Sequence, residues 1–158
     1  MPLYNPPSAS SGGLPSYTPV RLSGTFTPTG SYGTITGMSW TINETGWFEI
    51  VLDAIVSVGA TATGALSVGA VYSSTSTTPT SRVMWNSATG GGAANTWYNA
   101  SSNYIDTNSY LASSNTIALR TVHLMNITAS GGTMTLQCLR NASTETLQAN
   151  TIGYLRKF

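Results

Sequence analysis

The sequence predicts an all-β domain, and three observations carry that expectation. From Val20 onward Val, Ile, Thr, Tyr and Trp recur in short runs, the residue types that fit a pleated, half-buried surface. Gly-rich or Ser/Thr-rich stretches separate the runs, as at 59–64, 73–80 and 130–132, where the chain must turn. No helical period of apolar residues lasts three turns. Regular spacing of this kind favours a sandwich, a jelly roll or a barrel.

The first stretch lies outside that pattern. Met1 to Pro19 carries five of the seven prolines, which hold the backbone extended and cannot donate to a sheet ladder. Residues 1–22 are expected to form an extended arm, with Leu3, Tyr4, Pro6, Pro7, Leu14 and Tyr17 as its apolar contact groups. Residues 23–158 are expected to form the β domain.

Within the domain the clearest strand is Trp47 to Val58. Phe48, Ile50, Leu52, Ala54, Val56 and Val58 fall on one face, and Trp47, Glu49, Val51, Asp53, Ile55 and Ser57 on the other. A fully apolar face backed by a half-apolar one suits a sandwich whose outer surface is partly covered, for example by a neighbouring subunit. Further strands are expected at Tyr32–Ile35, Met38–Ile42, Ala65–Tyr72, Ser81–Trp85, Asn115–Thr128, Thr133–Arg140, Thr144–Gln148 and Thr151–Phe158. The segment Asn86–Ser114 fits no clean strand and reads as a long structured loop, a common place for binding functions.

At 158 residues and 16.5 kDa the chain has the length of one domain with one core. Only 7% of its residues are charged and the formal net charge is +1. That leaves no basic surface for nucleic acid and little repulsion between copies, so association is expected. The opening residues contain no basic region followed by an apolar run, so synthesis without a secretory signal is expected. The longest apolar segment, cut by Glu49 and Asp53, is too short to cross a bilayer as a helix, and membrane insertion is not expected. A terminal strand of an outer-membrane barrel would put Arg156 on the lipid face with Phe158. Cys138 has no cysteine partner and reads as a small buried residue in a strand.

Catalytic chemistry has little to draw on: Glu44, Glu49, Asp53, Asp106, Glu145 and His123. Glu49 and Asp53 share a strand face at roughly 13 Å, too far apart for the about 5–9.5 Å of a glycosidase pair. No enzyme activity, cofactor or metal site is expected. His123, in register with Ile117, Leu119, Met125 and Ile127, reads as a hydrogen-bonded interior residue, with a ring of His123 on a threefold axis as the alternative. Asn-X-Ser/Thr triplets at Asn43, Asn99, Asn126 and Asn141 are what so much Asn, Ser and Thr produces by chance. Trp85, Trp97, Tyr98, Tyr104 and Tyr110 either pack the long loop or an interface, or stack on host-surface carbohydrate.

Two stretches carry a resemblance. Ser39-Trp-Thr-Ile-Asn-Glu-Thr-Gly-Trp-Phe-Glu-Ile-Val-Leu52 is a short strand, a turn closing on Gly46 and an aromatic-led long strand. The C-terminal half follows with Asn115–Thr128, a turn at Ala129-Ser-Gly-Gly132, Thr133–Arg140 and the terminal Tyr154-Leu155 strand. Over about Met38 to Phe158 the chain resembles the trimeric jelly roll of the tumour necrosis factor and complement head type, which recurs in bacteriophage decoration proteins and fibre tips. It departs from that family at Gly131-Gly132-Thr133, where a Gly-Asp is usual. The resemblance implies an antiparallel jelly-roll sandwich behind an extended N-terminal arm, and a homotrimer with Trp47, Tyr154, Phe158 and His123 at its interface. It further implies a capsid decoration or cement protein that binds the major capsid protein through its arm and resides on the virion surface. The alternative is a tail-fibre or receptor-binding tip that recognises host-surface glycans.

Overall fold

The computed structural model describes residues 18–57, 65–76, 80–87, 98–101, 104–106, 116–141 and 145–158. For residues 65, 80–87, 98–101, 104–106 and 141 the backbone alone is described. The strands are β1 (Thr18–Arg21), β2 (Gly33–Ile42), β3 (Gly46–Ser57), β4 (Ala65–Tyr72), β5 (Thr80–Ser87) and β6 (Tyr98–Ser101). They continue with β7 (Tyr104–Asp106), β8 (Thr116–Ile127), β9 (Gly132–Asn141), β10 (Thr146–Leu147) and β11 (Ile152–Lys157).

These strands make two antiparallel sheets. The larger runs β1-β11-β3-β8-β5-β6, with β10 also pairing β3, and the smaller runs β2-β9-β4-β7. The chain crosses from one sheet to the other at nearly every connection; only β5 to β6 and β10 to β11 stay within a sheet. The expected all-β class is therefore observed as a two-sheet sandwich.

Alternation sets the core. From the larger sheet Phe48, Ile50, Leu52, Ala54 and Val56 of β3 and Ile117, Leu119, Met125 and Ile127 of β8 point inward and are buried. From the smaller sheet they meet Ile35, Met38, Trp40 and Ile42 of β2, Leu66, Val68, Ala70 and Tyr72 of β4, and Met134, Leu136 and Cys138 of β9. At about 1.5–3 kcal/mol per large apolar side chain removed from water, this layer is the dominant favourable term. Burial pushes the Cys138 thiol up to about 12, as expected of a cysteine that serves as core packing.

Four sequence expectations are corrected in detail. The separate strands at Tyr32–Ile35 and Met38–Ile42 are one strand with a bulge: Thr34 faces Gln137 and Ser39 faces Thr135, so residues 35–38 lie against Leu136 alone. Gly37, at φ 76°, takes the left-handed geometry that such a bulge needs, and both Ile35 and Met38 end up inside. The expected loop at 86–114 contains β6 and β7, which pair with β5 and β4 respectively. Short edge strands rich in Asn, Ser and Tyr carry too little alternation to be read from sequence. The expected arm of residues 1–22 overlaps the domain, because β1 pairs with β11 and Leu22 is buried in the core. Finally, Thr144 lies outside the described residues, and the expected strand Thr144–Gln148 is two residues long, Thr146–Leu147.

The β8–β9 turn is pinned from inside. Tyr72 donates its hydroxyl to the Ala129 carbonyl at 2.7 Å and accepts from the Gly132 amide at 3.0 Å. A Cβ on Gly132 would sit 2.5 Å from the Tyr72 ring, which those two hydrogen bonds hold in place. Gly132→Ala and Tyr72→Phe are each expected to destabilise the fold by about 1–3 kcal/mol. Urea unfolding should show a lower midpoint at unchanged m-value for both.

Candidate functional site

The outward face of the larger sheet concentrates the surface features that a sheet face does not need for its own folding. Trp47, Ile55 and Phe158 are 53%, 45% and 61% exposed. Large exposed hydrophobics elsewhere among the described residues are limited to Tyr32, which precedes β2. The outward face of the smaller sheet has the opposite character. Thr34, Ser39 and Thr41 are exposed there, and Thr133, Thr135 and Gln137 are half-buried.

The register explains how the apolar groups come together. β3 lies between β11 and β8, so Val51 has Tyr154 on one side and Val122 on the other. Glu49 likewise lies between Arg156 and Leu124, and Asp53 between Ile152 and Arg120. The Arg120 guanidinium donates to the Tyr154 hydroxyl at 2.6 Å. Because those residues belong to the two strands flanking β3, this hydrogen bond crosses over β3. Val51 beneath it is fully buried although it points away from the core.

Two arginines of this face pair with carboxylates of the same chain. Arg156 Nε lies 2.5 Å from the Glu49 carboxylate, and Arg120 Nε lies 3.6 Å from Asp53. The Arg156 guanidinium also sits 4.6 Å from the centroid of the Phe158 ring, a cation–π distance. Desolvation raises the Asp53 pKa above the usual carboxylate value, against the lowering effect of Arg120. Glu49 and Asp53 therefore serve separate arginines. Among the described residues no group of three or more His, Cys, Asp and Glu converges as a metal site would require.

Of the residues expected at a subunit interface, Trp47, Tyr154 and Phe158 share this face, and the Phe158 amide donates to the Trp47 carbonyl at 3.0 Å. His123 does not join them. It pairs in register with Ile50, on the inward face, and is fully buried, with Thr121 Oγ1 3.3 Å from its Nε2. The parity of β8 decides this: His123 shares the inward positions with Leu119 and Met125. It is accordingly removed from the interface, and its interior reading fits its position.

Leu3, Tyr4, Pro6, Pro7, Leu14 and Tyr17 lie outside the described residues, as do Trp97 and Tyr110. Tyr98 and Tyr104 belong to β6 and β7, in different sheets, and with Trp85 of β5 only their backbones are described. Sequence reasoning missed Val122, Leu124 and Arg120 as parts of the outward face, because that membership follows from the β3–β8 register. No family model matches the chain, and no curated protein matches it.

Burial lowers the His123 pKa from 6.5 to about 3, so the folded protein holds a neutral imidazole that the unfolded chain protonates below about 6.5. The stability this contributes is complete above pH 6.5 and is lost as pH falls toward 3, at about 1.4 kcal/mol per pH unit. Denaturant titrations between pH 6.5 and 5, above the range of ordinary carboxylates, should show this slope. His123→Gln should flatten it.

Proposed function

We propose that this chain is a bacteriophage virion structural protein: a capsid decoration or cement protein that trimerises and binds the major capsid protein through its N-terminal arm. The observation that carries the reading is the outward face of the larger sheet. It presents Trp47, Ile55 and Phe158 around two ion pairs already closed within the chain. Copies of this face can gather about a common axis with those four charges already offset. Burying three such side chains supplies several kcal/mol per protomer.

The strand order supports the jelly-roll part of the reading. β1, β11, β3 and β8 are consecutive in one sheet and β2, β9, β4 and β7 in the other. The chain alternates between them, as two interleaved Greek keys require. The arm reading rests on composition: a proline-rich stretch with Leu3, Tyr4, Pro6 and Pro7 precedes β1. An extended segment of this kind binds by lying along a partner's surface, and three arms on one trimer multiply a weak contact into a strong one. Stabilising the shell then requires adhesion alone.

Ile55→Arg combined with Trp47→Glu should weaken self-association by at least about 10–100-fold. Thr41→Arg on the opposite sheet should leave it unchanged. Light scattering across a concentration series reads both, and a trimer that survives the double change would overturn the interface. For the arm, deletion of residues 2–11 should leave a folded trimer that no longer binds heads stripped of the protein. Copy number per particle separates the virion locations: hundreds fit decoration of the capsid, and a handful would instead fit a tail tip.

A further inference from the structure

The two ion pairs on the outward face of the larger sheet differ in closeness. Arg156 Nε lies 2.5 Å from the Glu49 carboxylate, and the two side chains are 23% and 16% exposed. Arg120 Nε lies 3.6 Å from Asp53, and those side chains are 42% and 41% exposed. The first pair is in contact and largely covered. The second stands beyond hydrogen-bond distance and is open to whatever meets the face.

Asp53 is an acceptor that the chain leaves incompletely served. A carboxylate can accept up to about four hydrogen bonds, and among the described residues none reaches Asp53. Its surroundings nevertheless remove water. In register it lies between Ile152 and Arg120, with Val51 before it and Ile55 after it on the same side of β3. Desolvation there outweighs the attraction of Arg120 and holds the Asp53 pKa above the usual carboxylate value. A carboxylate that loses hydration without gaining donors is costly to keep charged, and a donor from outside the chain would offset that cost.

Arg120 carries the matching surplus. A guanidinium has five N–H donors in a rigid fork, and among the described residues its hydrogen-bond acceptor is the Tyr154 hydroxyl, at 2.6 Å. That bond holds the guanidinium over β3, so its position is set before any partner arrives and less entropy is lost on binding. The other charged groups described nearby are engaged elsewhere. Arg21, opposite Ile152 at the end of the same row, donates to Asn150 Oδ1 at 3.3 Å, and Glu49 is held by Arg156. A half-exposed carboxylate and a half-exposed guanidinium thus stand side by side in an apolar field. An acidic partner would meet Asp53 with like charge, and a basic one Arg120. A second copy of this chain brings both signs at the same spacing.

We propose that this pair is completed by other copies of the chain: Arg120 of one copy donates to Asp53 of the next, so that guanidiniums and carboxylates alternate around the axis of the assembly. The proposal rests on the self-association read from this face and adds the groups that set its register. In contacts that run head to tail, each copy turns Arg120 toward one neighbour and Asp53 toward the other. The apolar groups around the pair supply most of the attraction. The alternating charges decide how the faces align, because a slipped arrangement sets guanidinium against guanidinium.

Sedimentation equilibrium of the full chain with charge-reversed variants tests it. D53K and R120E should each associate at least about 10-fold more weakly than the wild type, since every contact then brings like charges together. Mixed in equal amounts, they should regain at least about 10-fold over either alone, because a chain with two cations at the site meets one with two carboxylates. Both variants break the same pair within the chain, so a purely internal role predicts no gain on mixing, and that result would overturn the proposal. D53N keeps the size of the side chain and guards against misfolding. It should weaken association by about 10-fold or more while its urea midpoint, measured at a dilution where both proteins are monomeric, stays close to that of the wild type. D53N associating as tightly as the wild type would equally overturn the proposal. A wild-type chain that stays monomeric throughout would overturn this proposal together with the self-association on which it rests.

Discussion

Strand β3 is the element on which the other features depend, because it carries apolar residues on both of its sides. Its inward residues form the middle of the core, while Val51 on its outward side is sealed beneath the hydrogen bond from Arg120 to Tyr154. A central strand with a solvated outer face would leave the larger sheet an ordinary polar surface, as the smaller sheet has. Here the outer face becomes a second, shallow apolar layer. That layer brings Trp47, Ile55 and Phe158 to a common surface and makes it the place where association is to be sought.

The scarcity of charge acquires a structural meaning from the ion pairs. The chain has six basic and five acidic side chains, and three pairs among the described residues use six of these: Asp53 with Arg120, Glu49 with Arg156 and Glu44 with Lys157. The first two lie on the face most apolar in character, where an unpaired charge would be costly to bury. Pairing them in the single chain offsets those four charges on the face. Exposed pairs of this kind add little to stability; their consequence is what the surface can meet.

Legibility of the sequence followed the strength of alternation. Long strands with strict period two, Trp47–Ser57 and Thr116–Ile127, could be read with their faces correctly divided, because a one-residue error would turn an entire apolar set into water. The bulge in β2 broke the period and made one strand read as two. β6 and β7 are short strands without a clear alternating signal, and their partners lie far away in sequence. Trp47, Tyr154 and Phe158 could be grouped by resemblance, whereas His123 was grouped with them in error: its apolar neighbours in sequence are compatible with a core or an interface. Only the pairing of His123 with Ile50 placed it inside.

The sequence by itself determined the class: β-rich composition, regular turns and the lack of a sustained helical period suffice, since local propensity and period act within a few residues. It also determined which side of each long strand is apolar. Tertiary structure alone decided which strands are neighbours, and through that register which arginine meets which carboxylate and that Val51 is covered. Those are contacts between residues far apart in the chain, 113 positions in the Lys157–Glu44 pair and 129 in Arg21–Asn150. No local rule encodes them, because they follow from how the two sheets are ordered.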